Sequence, residues 1–262
     1  MIRPRRRAFA AALFGLALAV AASAAERRVV VAYPAPAPAA GPLNGYLTTP
    51  KGAGPFPAVA LIHSCLGLPE NRAAFAAMLA SWGYVALYVD EFAPRGVTET
   101  CSVDFPEGPA DAAAALAYLA RQPYVDARRL AMIGFSQGGD VALAVAAAPP
   151  RGARPHAVAA FYPPCANRQG ETLKVPTLIL VGEADAVTPA EDCRRFAAAQ
   201  PQGAAKLEVL AGAGHLFDNP AYAGGRAVLG MHLAYDSAAA TRAEEELRRF
   251  LDERLSQPRA RD

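Results

Sequence analysis

A serine stands between glycines in the stretch GFSQGG, at residues 134–139. An apolar run from Leu130 leads into this stretch, and an alanine-rich run leads out of it to Ala148. The pattern predicts a strand, a tight turn and a helix, with Ser136 in the turn. Glycines on both sides let the strand and the helix approach closely because they carry no Cβ atom. The G-x-S-x-G spacing in this setting indicates that the Ser136 hydroxyl is presented as a nucleophile.

A serine nucleophile needs a general base, and the chain contains four histidines. In a strand-turn-helix arrangement of this type, the acid and then the histidine follow the serine, each after a later strand. His215 lies in a glycine-containing loop directly after the last predicted strand and is the candidate base. His63 precedes the serine, and His156 follows it closely with no suitable acid between them. His232 lies beyond the last predicted strand.

The acid that orients the base should lie between the serine and the histidine. Glu183 and Asp185 both come just after a buried strand. Asp185 is preferred because it lies further into the loop and can turn back toward the imidazole. Three other aspartates fit less well. Asp192 lies on the following helix, Asp218 comes after the histidine, and Asp140 lies one helical turn past the serine.

Stabilising a tetrahedral intermediate requires two backbone N–H groups that face the developing oxyanion. One is the N–H of Gln137, the residue after the nucleophile. The other is expected from the loop after the early buried strand, in LIHSCLGL, where Cys65 is the candidate. A structural role of the Cys65 side chain would not exclude this role of its backbone.

Strands and helices alternate along the chain, which predicts an α/β fold with a mostly parallel central sheet and helices on both faces. The predicted strands lie within residues 27–38, where the strand runs into a proline-rich turn, and within residues 41–50, 56–65, 84–92, 129–135, 156–163, 176–185 and 205–215. The predicted helices cover residues 68–83, 107–121, 137–148, 189–199 and 239–255. There is no internal repeat and no linker long enough to separate a second domain, so residues 26–262 are expected to form one domain.

The first 25 residues have the organisation of a signal peptide. A basic start, RPRRR, precedes an apolar stretch that is too short for a comfortable membrane span, and Ala22-Ser23-Ala24 provides a cleavage site. The protein is therefore expected to be exported, to the periplasm or the medium, without stable membrane insertion after signal removal. Arg6-Arg7-Ala8-Phe9 loosely resembles a twin-arginine signal. The export route stays open between that pathway and the general one, and an uncleaved anchor is the remaining alternative.

Charge argues against a nucleic-acid partner. The first 25 residues hold four of the chain's 26 basic residues and none of its 24 acidic ones, which leaves 22 basic against 24 acidic residues. The processed chain thus lacks the basic excess that binding to nucleic acid or to an anionic membrane requires.

The four cysteines, Cys65, Cys101, Cys165 and Cys193, favour two disulfides in an exported chain. Sequence spacing alone leaves all three pairings open.

Several segments together resemble the dienelactone hydrolase family of α/β-hydrolases. They are the run ALIHSCLGLPENRAAFAAMLASWGYVALYVDEFAPRG, the turn GFSQGG, LVGEADAVTP, GAGHLFDNP and the end LAYDSAAATRAEEELRRFL, which span residues 57–251. The resemblance implies the α/β-hydrolase fold and a triad of Ser136, Asp185 and His215. The order of the motifs is specific for the family but not for a substrate.

The chain departs from the founding members of this family at two positions. Those enzymes have a cysteine nucleophile in a G-x-C-x-G turn, where this chain has Ser136. They also have a glutamate that controls the thiol, and Ser64 stands at that place here. The two departures are consistent with each other, because an enzyme whose nucleophile is a serine activated by His215 has no thiol for such a glutamate to control. They argue against dienelactone itself as the substrate.

The resemblance also implies a role for Arg95, which matches a family arginine that binds the substrate carboxylate. An ion pair with Asp90 or Glu91 is the structural alternative.

Exported relatives with similar cysteine positions imply the disulfides Cys65–Cys101 and Cys165–Cys193. The first of these would tie the proposed oxyanion loop to the loop that carries Arg95.

Together these features predict a serine hydrolase that cleaves small carboxylic esters or lactones through an acyl-enzyme, without a metal or an organic cofactor. Peptidase, acyltransferase or polyester hydrolase activity on the same triad remains an alternative, because a fold does not determine a substrate. A non-catalytic exported binding protein is the alternative from another class. The sequence does not determine the oligomeric state.

Overall fold

The computed structural model describes residues 27–34, 36, 41–103, 105 and 107–256. The predicted signal peptide, residues 1–25, lies outside the described residues. No helix in the described part of the chain is both long and apolar enough to cross a membrane.

The core element is an eight-stranded sheet with the strand order β1-β2-β4-β3-β5-β6-β7-β8. The strands are β1 (Arg27–Tyr33), β2 (Leu43–Thr49), β3 (Phe56–Ile62), β4 (Val85–Asp90), β5 (Val125–Phe135), β6 (Ala157–Phe161), β7 (Thr177–Gly182) and β8 (Ala205–Leu210). β2 is antiparallel to both β1 and β4, and the six strands from β4 to β8 are parallel. The predicted mostly parallel sheet is therefore confirmed.

In the described part of the chain, five α-helices cover the two faces of this sheet. They are α1 (Arg72–Ser81), α2 (Gly108–Ala120), α3 (Gln137–Ala147), α4 (Ala190–Ala198) and α5 (Ser237–Leu255). Buried residues of α2, α3 and α4 belong to one apolar cluster, and those of α1 and α5 to a second one. Because both faces are covered, β4, β6 and β7 are buried at every position, which explains their continuous apolar sequences.

The sequence did not predict a small antiparallel hairpin near the carboxyl end, formed by β9 (Arg226–Val228) and β10 (Met231–Leu233). Its turn places Leu229 and Gly230 at positive φ, 49° and 78°. A turn with two left-handed residues matches the twist of a hairpin. Leucine is an unusual residue for such a turn, and the strands have three residues each, so the signal in the sequence is weak.

The sheet topology decides where loops meet. Carboxyl ends of neighbouring parallel strands lie at one edge of a sheet, and ligand sites of open α/β sheets form there. The β3–α1 loop (residues 63–71), the turn after β5, the β7–α4 loop (residues 183–189) and the loop after β8 (residues 211–222) all leave this edge. These segments carry the predicted site residues.

Candidate active site

The turn between β5 and α3 has the geometry of a nucleophile elbow. Ser136 has φ 53° and ψ −114°, a backbone conformation that residues other than glycine rarely adopt. A Cβ atom on Gly134 would lie 1.9 Å from the carbonyl oxygen of Gly138, and one on Gly138 would lie 2.4 Å from the carbonyl oxygen of Ile62. The flanking glycines are therefore required by direct backbone contacts, and the serine side chain stands at the sheet edge between them.

The structure brings Ser136, His215 and Asp185 together. His215 Nε2 lies 3.0 Å from Ser136 Oγ, and His215 Nδ1 lies 2.7 Å from Asp185 Oδ2. A carboxylate only accepts hydrogen bonds, so Nδ1 carries the proton and Nε2 is free to accept the hydrogen of the serine hydroxyl. All three residues are buried, which limits the competition of bulk water for these bonds.

Asp185 is held by the loop in which it lies. The backbone N–H groups of Val187 and Thr188 donate to its Oδ1, at 2.8 and 2.9 Å. The Thr188 hydroxyl lies 2.9 Å from Oδ2. Burial alone would raise the pKa of Asp185, but the hydrogen bond and charge of His215 and the bonds from Thr188 outweigh it and lower the pKa. The carboxylate is thus kept ionised and oriented.

Thr188 is a site residue that the sequence analysis missed. Its hydroxyl is shared among Asp185 Oδ2, the carbonyl oxygen of Tyr162 at 3.1 Å and His215 Nδ1 at 3.2 Å. The position of Thr188, three residues after the acid, was the only available signal. Glu183, the alternative acid, is exposed and accepts a hydrogen bond from the N–H of Gly212.

The His215 imidazole is also fixed from the side. The Tyr162 ring packs against it with a centroid distance of 4.7 Å. Gly182, at the end of β7, lies so close to the loop after β8 that a Cβ atom there would be 2.2 Å from the carbonyl oxygen of Ala213. Strand end and loop are therefore packed backbone against backbone, which limits the positions that the histidine can adopt.

Both candidates for oxyanion binding border the cleft that contains Ser136. Gln137 is the first residue of α3, and the first N–H groups of a helix have no partner within it. Cys65 lies in the β3–α1 loop, where its carbonyl oxygen accepts the N–H of Thr100 at 2.9 Å. The Thr100 hydroxyl in turn donates to the Gln137 side chain at 2.7 Å. Oxyanion binding by these two N–H groups stays a prediction.

The cleft at Ser136 has a volume of about 550 Å³. Two charged residues in its lining, Arg168 and Asp140, form a paired contact: Arg168 Nε lies 2.9 Å from Asp140 Oδ1 and Nη2 lies 2.6 Å from Oδ2. Asp140, one of the weaker candidates for the acid, thus has a structural partner. The pair balances its own charge, so neither residue brings a net charge to this wall.

The structure contains both disulfides that the family resemblance implies, Cys65–Cys101 and Cys165–Cys193. The first joins the β3–α1 loop to the segment before α2 and forms part of the wall of the Ser136 cleft. The second joins the segment after β6 to α4.

Arg95 does not reach this cleft. Its Nη1 lies 2.8 Å from Asp111 Oδ2 and its Nη2 lies 3.0 Å from Asp111 Oδ1. Nη1 also donates to the carbonyl oxygen of Glu91 at 2.7 Å. The guanidinium is thus bound on two sides in a structural contact, and binding of a substrate carboxylate by Arg95 stays a prediction. The partner is Asp111, from α2, rather than the side chain of Asp90 or Glu91.

A buried histidine and a buried glutamate lie near each other where the β3–α1 loop begins. His63 Nδ1 lies 2.8 Å from the carbonyl oxygen of Ser64, and Nε2 lies 3.8 Å from Glu91 Oε2. Burial lowers the pKa of His63. Burial, and then the charge of Asp111, raise the pKa of Glu91 well above its usual value. Both side chains are thus shifted toward their neutral forms.

The described residues contain no group of three or more histidine, cysteine, aspartate or glutamate side chains that could hold a metal ion.

The sequence model of the dienelactone hydrolase family matches residues 43–255. Among curated proteins, the esterase FrsA of Escherichia fergusonii is 31% identical over 121 residues, which is 42% of this chain and 26% of that esterase. The chain therefore spans about a quarter of the length of this relative.

Solved structures share the fold across most of the chain. A dienelactone hydrolase-like promiscuous phosphotriesterase from metagenomic libraries is 23% identical with a TM-score of 0.70, covering 88% of this chain and 100% of that one. A dienelactone hydrolase from Anabaena variabilis is 20% identical with a TM-score of 0.67, covering 88% and 99%. An α/β hydrolase from a Medee basin deep-sea metagenome library is 16% identical with a TM-score of 0.63, covering 88% and 99%. The observed architecture is thus the α/β-hydrolase fold.

Proposed function

Because this chain belongs to the dienelactone hydrolase family, we propose that it is a serine hydrolase that cleaves carboxylic esters or lactones. The observation that carries the proposal is the hydrogen-bonded series from Ser136 Oγ through His215 to Asp185, with distances of 3.0 and 2.7 Å. A serine hydroxyl within reach of an oriented imidazole is the arrangement that activates it as a nucleophile.

The chemistry proceeds in two acyl-transfer steps. His215 Nε2 removes the hydroxyl proton while Ser136 Oγ attacks the ester carbonyl, and the N–H groups of Gln137 and Cys65 stabilise the oxyanion. His215 then protonates the leaving alcohol, which departs and leaves an acyl-serine. Water, deprotonated by the same imidazole, releases the acid and restores the serine. Asp185 keeps Nδ1 protonated throughout and stabilises the imidazolium that forms in each step.

The cleft at Ser136 supports small substrates. Its volume, about 550 Å³, lies within the range of roughly 300–1,000 Å³ that suits small-molecule ligands. The serine in place of the family's cysteine argues for esters or lactones other than dienelactone.

We also propose that the protein is exported and that it acts as a single domain. Two disulfides are typical of proteins that fold in an oxidising compartment, which supports export to the periplasm or the medium. Residues 26–262 are proposed to act as one hydrolase domain, with no second domain required for catalysis.

The test is the variant Ser136→Ala, assayed with p-nitrophenyl acetate. Loss of the nucleophile should reduce kcat by on the order of 10⁴ to 10⁶. Ser81→Ala is the matched control, because Ser81 is an exposed serine at the end of α1, and it should keep full activity. A fluorophosphonate probe should label the wild-type protein and the control but not Ser136→Ala. Hydrolysis by folded Ser136→Ala at the wild-type rate would rule out the mechanism.

A further inference from the structure

A second cavity, of about 170 Å³, lies between the β3–α1 loop and the loop after β8. It is separate from the Ser136 cleft but borders the same group of residues, Ser136 and His215, from another side. Phe135 and Leu216 line it, and these residues directly precede Ser136 and directly follow His215. The cavity is smaller than the roughly 300 Å³ at which whole-ligand pockets begin, so it suits one group of a ligand and not a complete molecule.

The walls of this cavity are rich in aromatic side chains. They are Phe75, Tyr88, Phe135, Tyr162 and Tyr222. Aromatic rings pack favourably at the edge or face of another ring, and the Phe75–Phe135 and Tyr162–His215 contacts at this site already have that geometry. A planar six-membered ring is the group that such walls fit best.

Polar side chains interrupt the aromatic walls, at His63, Ser64, Glu70, Asn71, Asp218, Asn219 and Arg226. Of the two carboxylates among them, Glu70 is exposed and Asp218 is partly buried. Asp218 lines the cavity, and its Oδ1 accepts a hydrogen bond from the Tyr162 hydroxyl at 2.7 Å. Burial raises the pKa of Asp218 to about 6, against the opposing effect of the Tyr162 hydrogen bond. The ionised form is therefore favoured at pH 7, and a carboxylate that accepts bonds from the Tyr162 hydroxyl and from its own backbone N–H keeps capacity for a further donor.

The mechanism of ester cleavage does not use Asp218. Asp185 already holds His215 Nδ1, and the Asp218 carboxylate bonds to a tyrosine instead. A carboxylate accepts hydrogen bonds from hydroxyl groups as well as from cations. The Tyr162 phenol, which donates to Asp218 Oδ1 at 2.7 Å, shows that a phenolic hydroxyl fits this acceptor.

We propose that this cavity binds a hydroxyl-bearing aromatic ring on one side of the scissile ester, with the hydroxyl donating to Asp218. This inference rests on the proposed hydrolase function and adds the substrate class: esters of hydroxylated aromatic acids or hydroxylated benzylic alcohols. The aromatic walls position the ring, and the carboxylate selects the hydroxylated form over the unsubstituted one.

The first experiment measures kcat/KM for two matched ester pairs. Methyl benzoate and methyl 4-hydroxybenzoate vary the acyl side, and benzyl acetate and 4-hydroxybenzyl acetate vary the alcohol side. The wild-type protein should prefer the hydroxylated member of one pair by about tenfold, the effect of one hydrogen bond to a charged group. The pair that shows the preference identifies which side of the ester enters the cavity. A ratio near one in both pairs, in an active enzyme, overturns the inference.

The variant Asp218→Asn tests the role of the carboxylate. Asparagine keeps the shape and an acceptor for Tyr162 but removes the charge, so the preference should fall to about threefold or less. Glu70→Gln is the control, because Glu70 is an exposed carboxylate at the rim of the same cavity, and it should keep the wild-type ratio. An unchanged ratio in folded Asp218→Asn contradicts the assignment.

A binding measurement separates this inference from the proposed function. NMR titrations of the wild-type protein with 4-hydroxybenzyl alcohol and benzyl alcohol should give about tenfold tighter binding of the phenol. If no ester is hydrolysed but the phenol still binds more tightly, the function fails and the cavity assignment stands. Equal binding of both alcohols overturns the assignment. Circular dichroism checks that Asp218→Asn folds, and if it does not, the wild-type ratios and titrations decide alone.

Discussion

At the scale of single residues, the candidate site depends on groups that position the triad as well as on the triad. Asp185 accepts two backbone N–H bonds and lies next to the Thr188 hydroxyl. The same hydroxyl bonds to the carbonyl oxygen of Tyr162, the residue directly after β6. Thr188 therefore couples the acid to the strand that lies between the nucleophile and the acid in the sheet.

The variant Thr188→Val should lower kcat by about fivefold, because one hydrogen bond that orients the carboxylate contributes on the order of 1 kcal/mol. KM should change little, since the hydroxyl holds the acid and does not bind substrate. Steady-state kinetics with a p-nitrophenyl ester measures both constants. Thr188→Ser restores the hydroxyl and should recover most of the rate. If serine fails to rescue the activity, the hydroxyl is not the group that matters.

At the scale of elements, the candidate site can form at the sheet edge because three strand ends and their loops approach each other without side chains between them. Gly138 is the clearest case: its α-carbon faces the backbone of β3, with the carbonyl oxygens of Ile62 and His63 at 2.4 and 2.5 Å from a hypothetical Cβ atom. Helix α3 can therefore begin under Ser136 only if this position has no side chain.

Gly138→Ala should lower the free energy of unfolding by at least about 1–3 kcal/mol, the usual cost of overpacking. The cost is higher if the backbone of β3 or α3 has to move to make room for the methyl group. Chemical denaturation monitored by circular dichroism gives the change in free energy of unfolding. Gly41→Ala serves as the control because nothing lies within 4 Å of a Cβ atom there. Equal stability of the two variants would show that α3 can shift away from β3 at little cost.

The carboxyl end of β4 carries a second element-scale feature, the buried Glu91. Its pKa is raised by burial first and then by the charge of Asp111, with Arg95 acting in the opposite direction. A raised pKa means that the unfolded chain releases this proton at lower pH than the native protein does. Glu91 therefore reduces native stability increasingly as the pH rises above the usual glutamate value.

Glu91→Gln should remove that dependence. The free energy of unfolding of the variant, minus that of wild type, should increase from pH 5 to pH 7. The increase is up to about 1.4 kcal/mol for each pH unit over which Glu91 holds the proton in the native but not in the unfolded wild-type protein. Urea denaturation at both pH values measures the difference. Glu253→Gln, at an exposed position on α5, should show no such gain. A constant difference between Glu91→Gln and wild type would contradict the shift.

At the scale of the whole molecule, two disulfides join loops at the active edge to the body of the protein. They close segments with sequence separations of 36 and 28 residues, each worth about 3–4 kcal/mol by restriction of the unfolded chain. Cys165 and Cys193 are 1% and 0% exposed, whereas Cys65 is 8% exposed and Cys101 is partly exposed. A reductant therefore has better access to the first bridge.

Mild reduction should open Cys65–Cys101 first and lower esterase activity severalfold before the core unfolds, because Cys65 lies in the wall of the Ser136 cleft. Activity, free thiols and circular dichroism are followed together during the titration. The double variant Cys165→Ala/Cys193→Ala leaves only the cleft bridge and should lose activity at the same reductant concentration as wild type. Full activity after complete reduction would show that the bridge does not hold the loop in its active position.

The sequence by itself determined the sheet class, most strands and helices, and the order Ser136, Asp185, His215. Local rules suffice for these because an apolar run, a glycine turn and a residue order are read from neighbouring positions. The resemblance to a known family supplied the disulfide pairing, which spacing alone left open.

Only the tertiary structure decided which side chains meet across distant segments. It paired Arg95 with Asp111 of α2, joined the Thr188 hydroxyl to the carbonyl oxygen of Tyr162 and joined the Tyr162 hydroxyl to Asp218. These contacts join segments whose separation in sequence carries no periodic signal. Each depends on how helices and loops pack over the sheet, and packing is a property of the whole fold.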